Sequence, residues 1–175
     1  MRYLLLAFAA LLLPLSATAQ MDRSLETIRN YTYVDEQLAS AGQIPYDRIA
    51  TLAEEGYEVV INLAPASDVR NAMEGFFVTK EGMTYLQIPV DWQAPSQRDL
   101  QLFFDVMKAN QDRKVFVHCF ANMRASAFVY LYRTLHQGVT EDEAAAIMAQ
   151  VWNPDEVPQW GAFIDQAQTE YESGN

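Results

Sequence analysis

The chain has 175 residues, 50% of them hydrophobic, and a formal net charge of −11 at pH 7. This length suits one domain with a buried core, and the acidity argues against nucleic acid or an anionic membrane as a partner. The single cysteine excludes an intramolecular disulfide.

The N-terminus has the pattern of a secretory signal peptide. Arg2 precedes an apolar run over residues 4–13, and Ala17, Thr18 and Ala19 form an A-x-A cleavage site. The apolar run is shorter than the ~20 residues that span a membrane, which favours cleavage over an uncleaved anchor. We therefore predict a signal peptide over residues 1–19. The mature chain, residues 20–175, is expected to be one exported domain, periplasmic or secreted, with no stable membrane anchor.

Strands and helices alternate along the remaining chain. The predicted strands cover residues 31–34, 57–63, 84–90 and 114–118. The predicted helices cover residues 45–55, 96–110, 122–137, 140–151 and 157–171, with a short helix or loop over 67–75. Ser96 and Thr140 are candidate N-caps, the latter in a capping box with Glu143. This alternation predicts an α/β fold with a mostly parallel central sheet flanked by helices. Residues 114–118 are expected to form the central strand, and Pro89 indicates an edge strand or a strand end.

The most informative segment, Val-Phe-Val-His-Cys-Phe-Ala-Asn-Met-Arg-Ala-Ser, covers residues 115–126. Cys119 ends an apolar strand and is followed by a turn and the start of a helix, a setting that stabilises a thiolate and binds anions. Free amides from Phe120 to Arg124 are expected to form an anion-binding nest, and the helix dipole and Arg124 favour the thiolate. The segment thus predicts cysteine chemistry on an anionic group. The alternative is a buried, inert thiol beside a surface arginine.

The chain resembles a known family in four segments. These are Gly42-Gln43, residues 59–63, residues 88–91 and Val117-His118-Cys119. Their order is similar to that of the cysteine-dependent phosphatases of the dual-specificity type. The likeness is greatest to small bacterial phosphatase-like domains related to the beta-lactamase-hydrolase-like group.

The resemblance implies a set of roles for this chain. Cys119 would attack phosphorus, and Asp91 would protonate the leaving group. The loop residues Phe120, Ala121, Asn122, Met123, Arg124 and Ser126 would hold the phosphate. The implied partner is a phosphorylated small molecule or a phosphoprotein, and no cofactor is implied.

The match to the family pattern is partial. Ser126 stands where the family has Ser or Thr, and Asn122 replaces its usual Gly, a substitution that a left-handed backbone tolerates. The family's arginine position holds Ala125, and Arg124 comes one residue earlier. Either the loop re-aims Arg124 toward the anion, or the loop is one residue shorter and Ser126 shifts along the helix. Because a bidentate arginine grips phosphate, the displacement predicts weakened activity.

Other interpretations of these residues stay open. His118 is expected to orient the loop as a buried, neutral ring rather than to act as a base. Asp91 would otherwise be an ordinary turn residue before the Ser96 cap. Two other functions remain: a catalytically silent module that binds phosphate-containing or protein ligands, and a rhodanese-type sulfurtransferase, whose active loop also has Arg five residues after Cys.

Cofactor sites have little support in the sequence. Two histidines and one cysteine, without paired ligand spacing, predict no metal site. No glycine-rich nucleotide fingerprint is present. The sequence does not indicate an oligomeric state.

Overall fold

The computed structural model describes residues 24–174, so the predicted signal peptide lies outside the described residues. The strands are β1 (Thr32–Asp35), β2 (Leu38–Ala41), β3 (Val59–Asn62), β4 (Thr84–Gln87) and β5 (Val115–His118). The helices are α1 (Ile49–Glu54), α2 (Glu74–Lys80), α3 (Gln97–Ala109), α4 (Met123–His136), α5 (Glu141–Met148) and α6 (Pro158–Gly174). Short 3-10 turns occupy Leu25–Thr27, Tyr46–Arg48 and Pro154–Glu156.

The five strands form one mixed sheet in the order β1-β2-β5-β3-β4. β1 and β2 are antiparallel, whereas β2, β5, β3 and β4 pair in parallel. The predicted mostly parallel sheet is confirmed, with β5 at its centre and β4 at an edge. The carboxyl ends of β2, β3 and β5 lie side by side, with Ala41 and Asn62 both in register with His118.

Each face of the sheet is covered by its own hydrophobic core. Val115, Val117 and Cys119 belong to the core shared with α3, α4, α5 and α6. Phe116 belongs to the opposite core, shared with α1, α2 and the segment before β1. Because successive side chains on a strand point to opposite faces, His118 and Cys119 leave β5 on opposite sides of the sheet.

Several predicted elements need correction. β2 was not predicted, because its sequence, Leu-Ala-Ser-Ala, has none of the β-branched residues that mark strands. Residues 45–55 form a 3-10 turn followed by α1 rather than one helix, and Pro45 caps the 3-10 turn. Of the short helix or loop predicted over residues 67–75, the structure has turns over residues 68–73, and α2, which was not predicted, begins at Glu74. β4 ends at Gln87, three residues short, and α5 ends at Met148 rather than near residue 151.

The two predicted N-caps, Ser96 and Thr140, are confirmed. The Ser96 hydroxyl accepts from the Asp99 amide at 3.2 Å, and the Thr140 hydroxyl accepts from the Glu143 amide at 3.3 Å. Each bond satisfies one donor that a first helical turn leaves open. Within residues 24–174, no helix combines the length and apolar character needed to cross a membrane.

Candidate active site

Cys119 lies where the central strand ends and the chain turns toward α4. Its side chain is buried, only 1% exposed, and its amide donates to the Ala41 carbonyl at 3.3 Å. The next two residues lie against the end of β2: the Phe120 carbonyl accepts from the Gln43 amide at 3.3 Å, and Ala121 forms an isolated antiparallel bridge with Gly42. The strand end therefore fixes the position from which the loop departs.

Gly42 is needed for the close approach of these segments. A Cβ atom at this position would lie 2.9 Å from the Arg29 carbonyl oxygen and 3.2 Å from that of Phe120. Both contacts are with backbone atoms, which cannot swing away. A larger residue would push the loop away from β2.

Asn122 makes the turn into α4. Its φ of 66° is left-handed, as the sequence predicts for an Asn in place of Gly. Its buried side-chain amide donates to the Asn30 carbonyl at 2.7 Å, and the Asn30 side chain donates to the Ala121 carbonyl at 2.9 Å. These two bonds, which we call the asparagine clasp, hold the loop against the segment before β1.

The first turn of α4 presents unpaired backbone amides. The first helical bond runs from the Ser126 amide to the Asn122 carbonyl at 2.8 Å. Among the described residues, the amides of Met123, Arg124 and Ala125 have no acceptor, and they lie at the positive end of a 14-residue helix. Such a group of donors suits an oxyanion.

Ser126 has no donor to spare for an anion. Its amide is the one bonded to Asn122, and its hydroxyl donates to the Met123 carbonyl at 3.1 Å. The same hydroxyl accepts from Trp152 Nε1 at 3.0 Å. In this arrangement the Ser126 hydroxyl is bonded within the fold, and its phosphate contact stays a prediction.

Arg124 and Ala125 differ in their surroundings. Ala125, at the family's usual arginine position, is fully buried among apolar side chains of the core. Arg124 is half-buried, and its Nε donates to the Val90 carbonyl at 2.9 Å. Its guanidinium carbon also lies 5.3 Å from the Trp92 ring centroid. Arg124 thus joins the start of α4 to the segment that carries Asp91.

Asp91 is exposed at the start of the turn before α3. One of its carboxylate oxygens, Oδ1, accepts from the Gln93 amide at 2.9 Å, which is an Asx turn. The second oxygen has no bond within the described chain. The structure brings the Asp91 segment beside Arg124. Asp91 also forms a turn before α3, which is the alternative role that the sequence allowed.

Three tryptophans anchor this segment. Trp92, Trp152 and Trp160 pack together with ring centroids 5.2–5.8 Å apart. Trp160 Nε1 donates to the Trp92 carbonyl at 3.0 Å, while Trp152 reaches Ser126 in α4. The cluster therefore ties α6 and α4 to the residue that follows Asp91.

His118 is buried, as expected, but its neighbour is a carboxylate that the sequence did not indicate. His118 Nε2 lies 2.5 Å from Glu74 Oε1, and both side chains are fully buried. Neither of these two atoms makes a hydrogen bond within the described chain, so the two side chains meet in a close polar contact. Glu74 comes from the first turn of α2, 44 residues before His118 in the chain.

Arg70 is a second residue that sequence reasoning missed. It is exposed in the turns before α2, and its guanidinium carbon lies 4.6 Å from the centroid of the Phe120 ring. Phe120 directly follows Cys119, so a cation flanks the loop on this side too. An isolated arginine in a turn region carries no motif that would have revealed it.

Other features of the described chain hold no comparable chemistry. A cavity of about 430 Å³ between α3, α4 and α6 is lined by Gln97, Phe104, His136 and Tyr171 among others, away from Cys119. Burial and nearby Lys108 lower the pKa of His136, which lies at the surface as expected. Within residues 24–174 no three His, Cys, Asp or Glu side chains are grouped to hold a metal ion.

Comparison with known proteins identifies the family. Residues 20–160 match the family model described as a DSP-PTPase phosphatase fused to NAD+ kinase. The chain belongs to the dual-specificity phosphatase family. No curated protein matches the sequence of this chain.

Solved structures agree with this membership. A candidate phosphatase (DUF442) from Shewanella putrefaciens CN-32 is 39% identical, with a TM-score of 0.75, 84% of this chain and 94% of that chain being covered. P. aeruginosa TpbA, solved in complex with pTyr, is 14% identical with a TM-score of 0.63. The match covers 82% of this chain and 90% of the TpbA chain. A candidate phosphatase from Neisseria meningitidis Z2491 is 18% identical with a TM-score of 0.58. The match covers 80% of this chain and 97% of the Neisseria chain. The last two share the dual-specificity phosphatase fold.

Proposed function

We propose that this dual-specificity phosphatase family member is exported and hydrolyses a phosphomonoester through a phosphoenzyme on Cys119. The observation that carries the proposal is the placement of Cys119. The chain's one thiol lies at the end of the central strand, where the loop enters a helix whose first amides are unpaired. A neighbour with this fold is solved with pTyr, which supports a phosphorylated substrate.

In the first step the Cys119 thiolate attacks phosphorus, and the P–O bond to the leaving group breaks as the S–P bond forms. The unpaired amides of Met123, Arg124 and Ala125 and the free Nη groups of Arg124 bear the charge on the transferring oxygens. The leaving oxygen takes a proton from Asp91.

In the second step water attacks the phosphocysteine. Asp91, now ionised, accepts a proton from the water, the S–P bond breaks, and inorganic phosphate leaves with the thiolate restored. Arg124 has a restricted part in both steps. Its Nε is already bonded to Val90, so two nitrogens rather than three are free to reach an anion. We expect slow turnover because Arg124 is shared between the Val90 carbonyl and the substrate phosphate.

The test is hydrolysis of p-nitrophenyl phosphate by the chain from Gln20, compared with Cys119→Ser. We expect turnover to fall by roughly three orders of magnitude or more, because the nucleophile is lost. Vanadate should inhibit the parent protein and protect its thiol from iodoacetamide. Hydrolysis that persists in Cys119→Ser would contradict the phosphoenzyme.

Two results would identify the other functions. Sulfur transfer from thiosulfate to cyanide, absent in Cys119→Ser, would identify a sulfurtransferase. Saturable phosphate binding with no hydrolysis of any aryl phosphate would identify a silent binding module.

A further inference from the structure

Glu74 is the one fully buried carboxylate in the described chain. An ionised carboxylate without water is stable only when a cation or several donors surround it. Within residues 24–174, no lysine or arginine pairs with Glu74, and the His118 ring is the charge partner in contact with it. The groups that stabilise the buried Glu74 carboxylate beside His118 therefore have to be identified.

Three elements supply donors to this carboxylate. Glu74 Oε2 accepts from Gln43 Nε2 at 3.0 Å, after β2, and from Asn62 Nδ2 at 3.4 Å, at the end of β3. Oε1 faces His118 Nε2 at the end of β5. Two donors on Oε2 and the His118 ring against Oε1 fit a charged carboxylate.

The remaining titratable groups around the pair are tyrosines. The Tyr85 hydroxyl on β4 accepts from Asn62 Nδ2 at 3.0 Å, and burial and the Glu74 charge raise the pKa of Tyr85 to about 12. Tyr46 lies near Tyr85, and its hydroxyl accepts from the Met73 amide at 3.2 Å. Neither tyrosine is a cation at any pH, so the charge that balances Glu74 must come from the imidazole.

We propose that Glu74 is a positioning residue that holds His118 as an imidazolium and so fixes the strand end from which the Cys119 loop departs. The pair locks α2 to the carboxyl ends of β2, β3 and β5, which lie side by side there. His118 immediately precedes Cys119 in the chain, although its side chain leaves β5 on the opposite side of the sheet. Fixing the strand end holds Cys119 at the start of its loop, and a positive charge on His118 favours the thiolate of Cys119.

This inference rests on the proposed function of Cys119, yet the charge of His118 is measurable without any turnover. Long-range proton–nitrogen NMR of the parent protein reports both histidines, His118 and His136. We expect both ring nitrogens of His118 to carry protons at pH 7, and the exposed His136 to titrate separately as an internal reference. A neutral His118 ring in the parent protein overturns the proposal, and this measurement needs no variant.

The matched variants are Glu74→Gln and Glu81→Gln, the second at an exposed residue just after α2. In Glu74→Gln the amide keeps the size and part of the hydrogen bonding, but we expect His118 to become neutral. Because Cys119 is the chain's one cysteine, its alkylation by iodoacetamide is read without interference. At pH 7 we expect about tenfold slower alkylation, which corresponds to a loss of about 1.4 kcal/mol of electrostatic stabilisation of the thiolate.

Glu81→Gln should match the parent protein in both measurements. Unchanged alkylation in a folded Glu74→Gln overturns the link to Cys119. If the parent shows an imidazolium and Glu74→Gln slows alkylation while p-nitrophenyl phosphate is not hydrolysed, the positioning role stands and the proposed phosphatase activity fails.

Discussion

Arg124 is a single side chain that contacts two segments of the candidate site. Its Nε bond to Val90 holds the Asp91 segment, and its Nη groups face no partner in the described chain. We predict that Arg124→Lys raises the vanadate concentration for half-inhibition about tenfold, although the charge is kept. The reason is that an ammonium replaces the planar fork with a point charge. The measurement is inhibition of p-nitrophenyl phosphate hydrolysis.

The control for Arg124→Lys is Arg98→Lys, at an exposed position on α3. This variant should bind vanadate like the parent protein. If Arg124→Lys and Arg124→Ala also keep full affinity, Arg124 does not contact the anion, and the backbone amides of α4 bind it alone.

Asp91 has a carboxylate oxygen to spare, which permits a proton transfer. We predict that Asp91→Asn lowers hydrolysis of phenyl phosphate by about 10²–10⁴-fold, the usual contribution of a general acid. Hydrolysis of p-nitrophenyl phosphate should fall much less, because nitrophenolate leaves without a proton. The measurement is the ratio of kcat/KM values for the two esters.

Asp105→Asn, at an exposed position on α3, is the matched control and should not change this ratio. Equal losses for both esters in Asp91→Asn would show that the residue only shapes its turn.

At the scale of elements, the asparagine clasp joins the loop to the segment before β1. We predict that Asn122→Gly costs about 1–3 kcal/mol of unfolding free energy, because the side-chain bonds to Asn30 and Thr32 are lost. Asn122→Ala should cost about 1–2 kcal/mol more, since alanine is strained at positive φ. Urea unfolding with a common m-value measures both.

The difference between these two variants is the informative quantity. Equal stabilities for Asn122→Gly and Asn122→Ala would mean that the left-handed conformation is not retained in the variants. The hydrogen bonds alone would then account for the loss.

The elements that the sequence predicted are those whose signal is local. β5 is a continuous apolar run, and α3 carries a cap and a regular apolar stripe of Leu100, Phe103, Phe104 and Met107. β2 was missed because its small residues are stabilised by the neighbouring strands rather than by their own propensity. The sequence predicted only a short helix or loop over residues 67–75, and α2 was missed because Met73 provides no side-chain cap.

The candidate site divides in the same way. The cysteine loop is contiguous in sequence, so its thiol, turn and helix start were predictable together. The Glu74–His118 pair joins positions far apart in the chain, and the asparagine clasp joins Asn30 to Asn122. Neither pairing leaves a pattern in a single sequence, since a lone Glu or Asn is typical of a surface or a turn. The register of Arg124 became clear only once Ala125 was found in the core.

At the scale of the whole molecule, export remains a prediction from residues 1–19. We expect mass spectrometry of the protein recovered outside the cytoplasm to show an N-terminus at Gln20, because Ala17 and Ala19 fit a signal peptidase site. Ala19→Arg should block this processing, because the cleavage site requires a small residue. An intact N-terminus in the membrane fraction of the parent protein would contradict the prediction.

The burial of Leu25 and Ile28 sets a limit on how far the site can stand from whatever holds the N-terminus. Both side chains are in the core, and the chain continues directly into the clasp at Asn30. The apolar run ends at residue 13, and Leu25 lies 12 positions later, so the chain between them spans at most about 40 Å. If the leader were retained in a bilayer, this short connection would confine the candidate site to phosphate esters near the membrane surface. Once released, the same protein would have the whole compartment within reach, so processing at one peptide bond would decide which phosphate esters it meets.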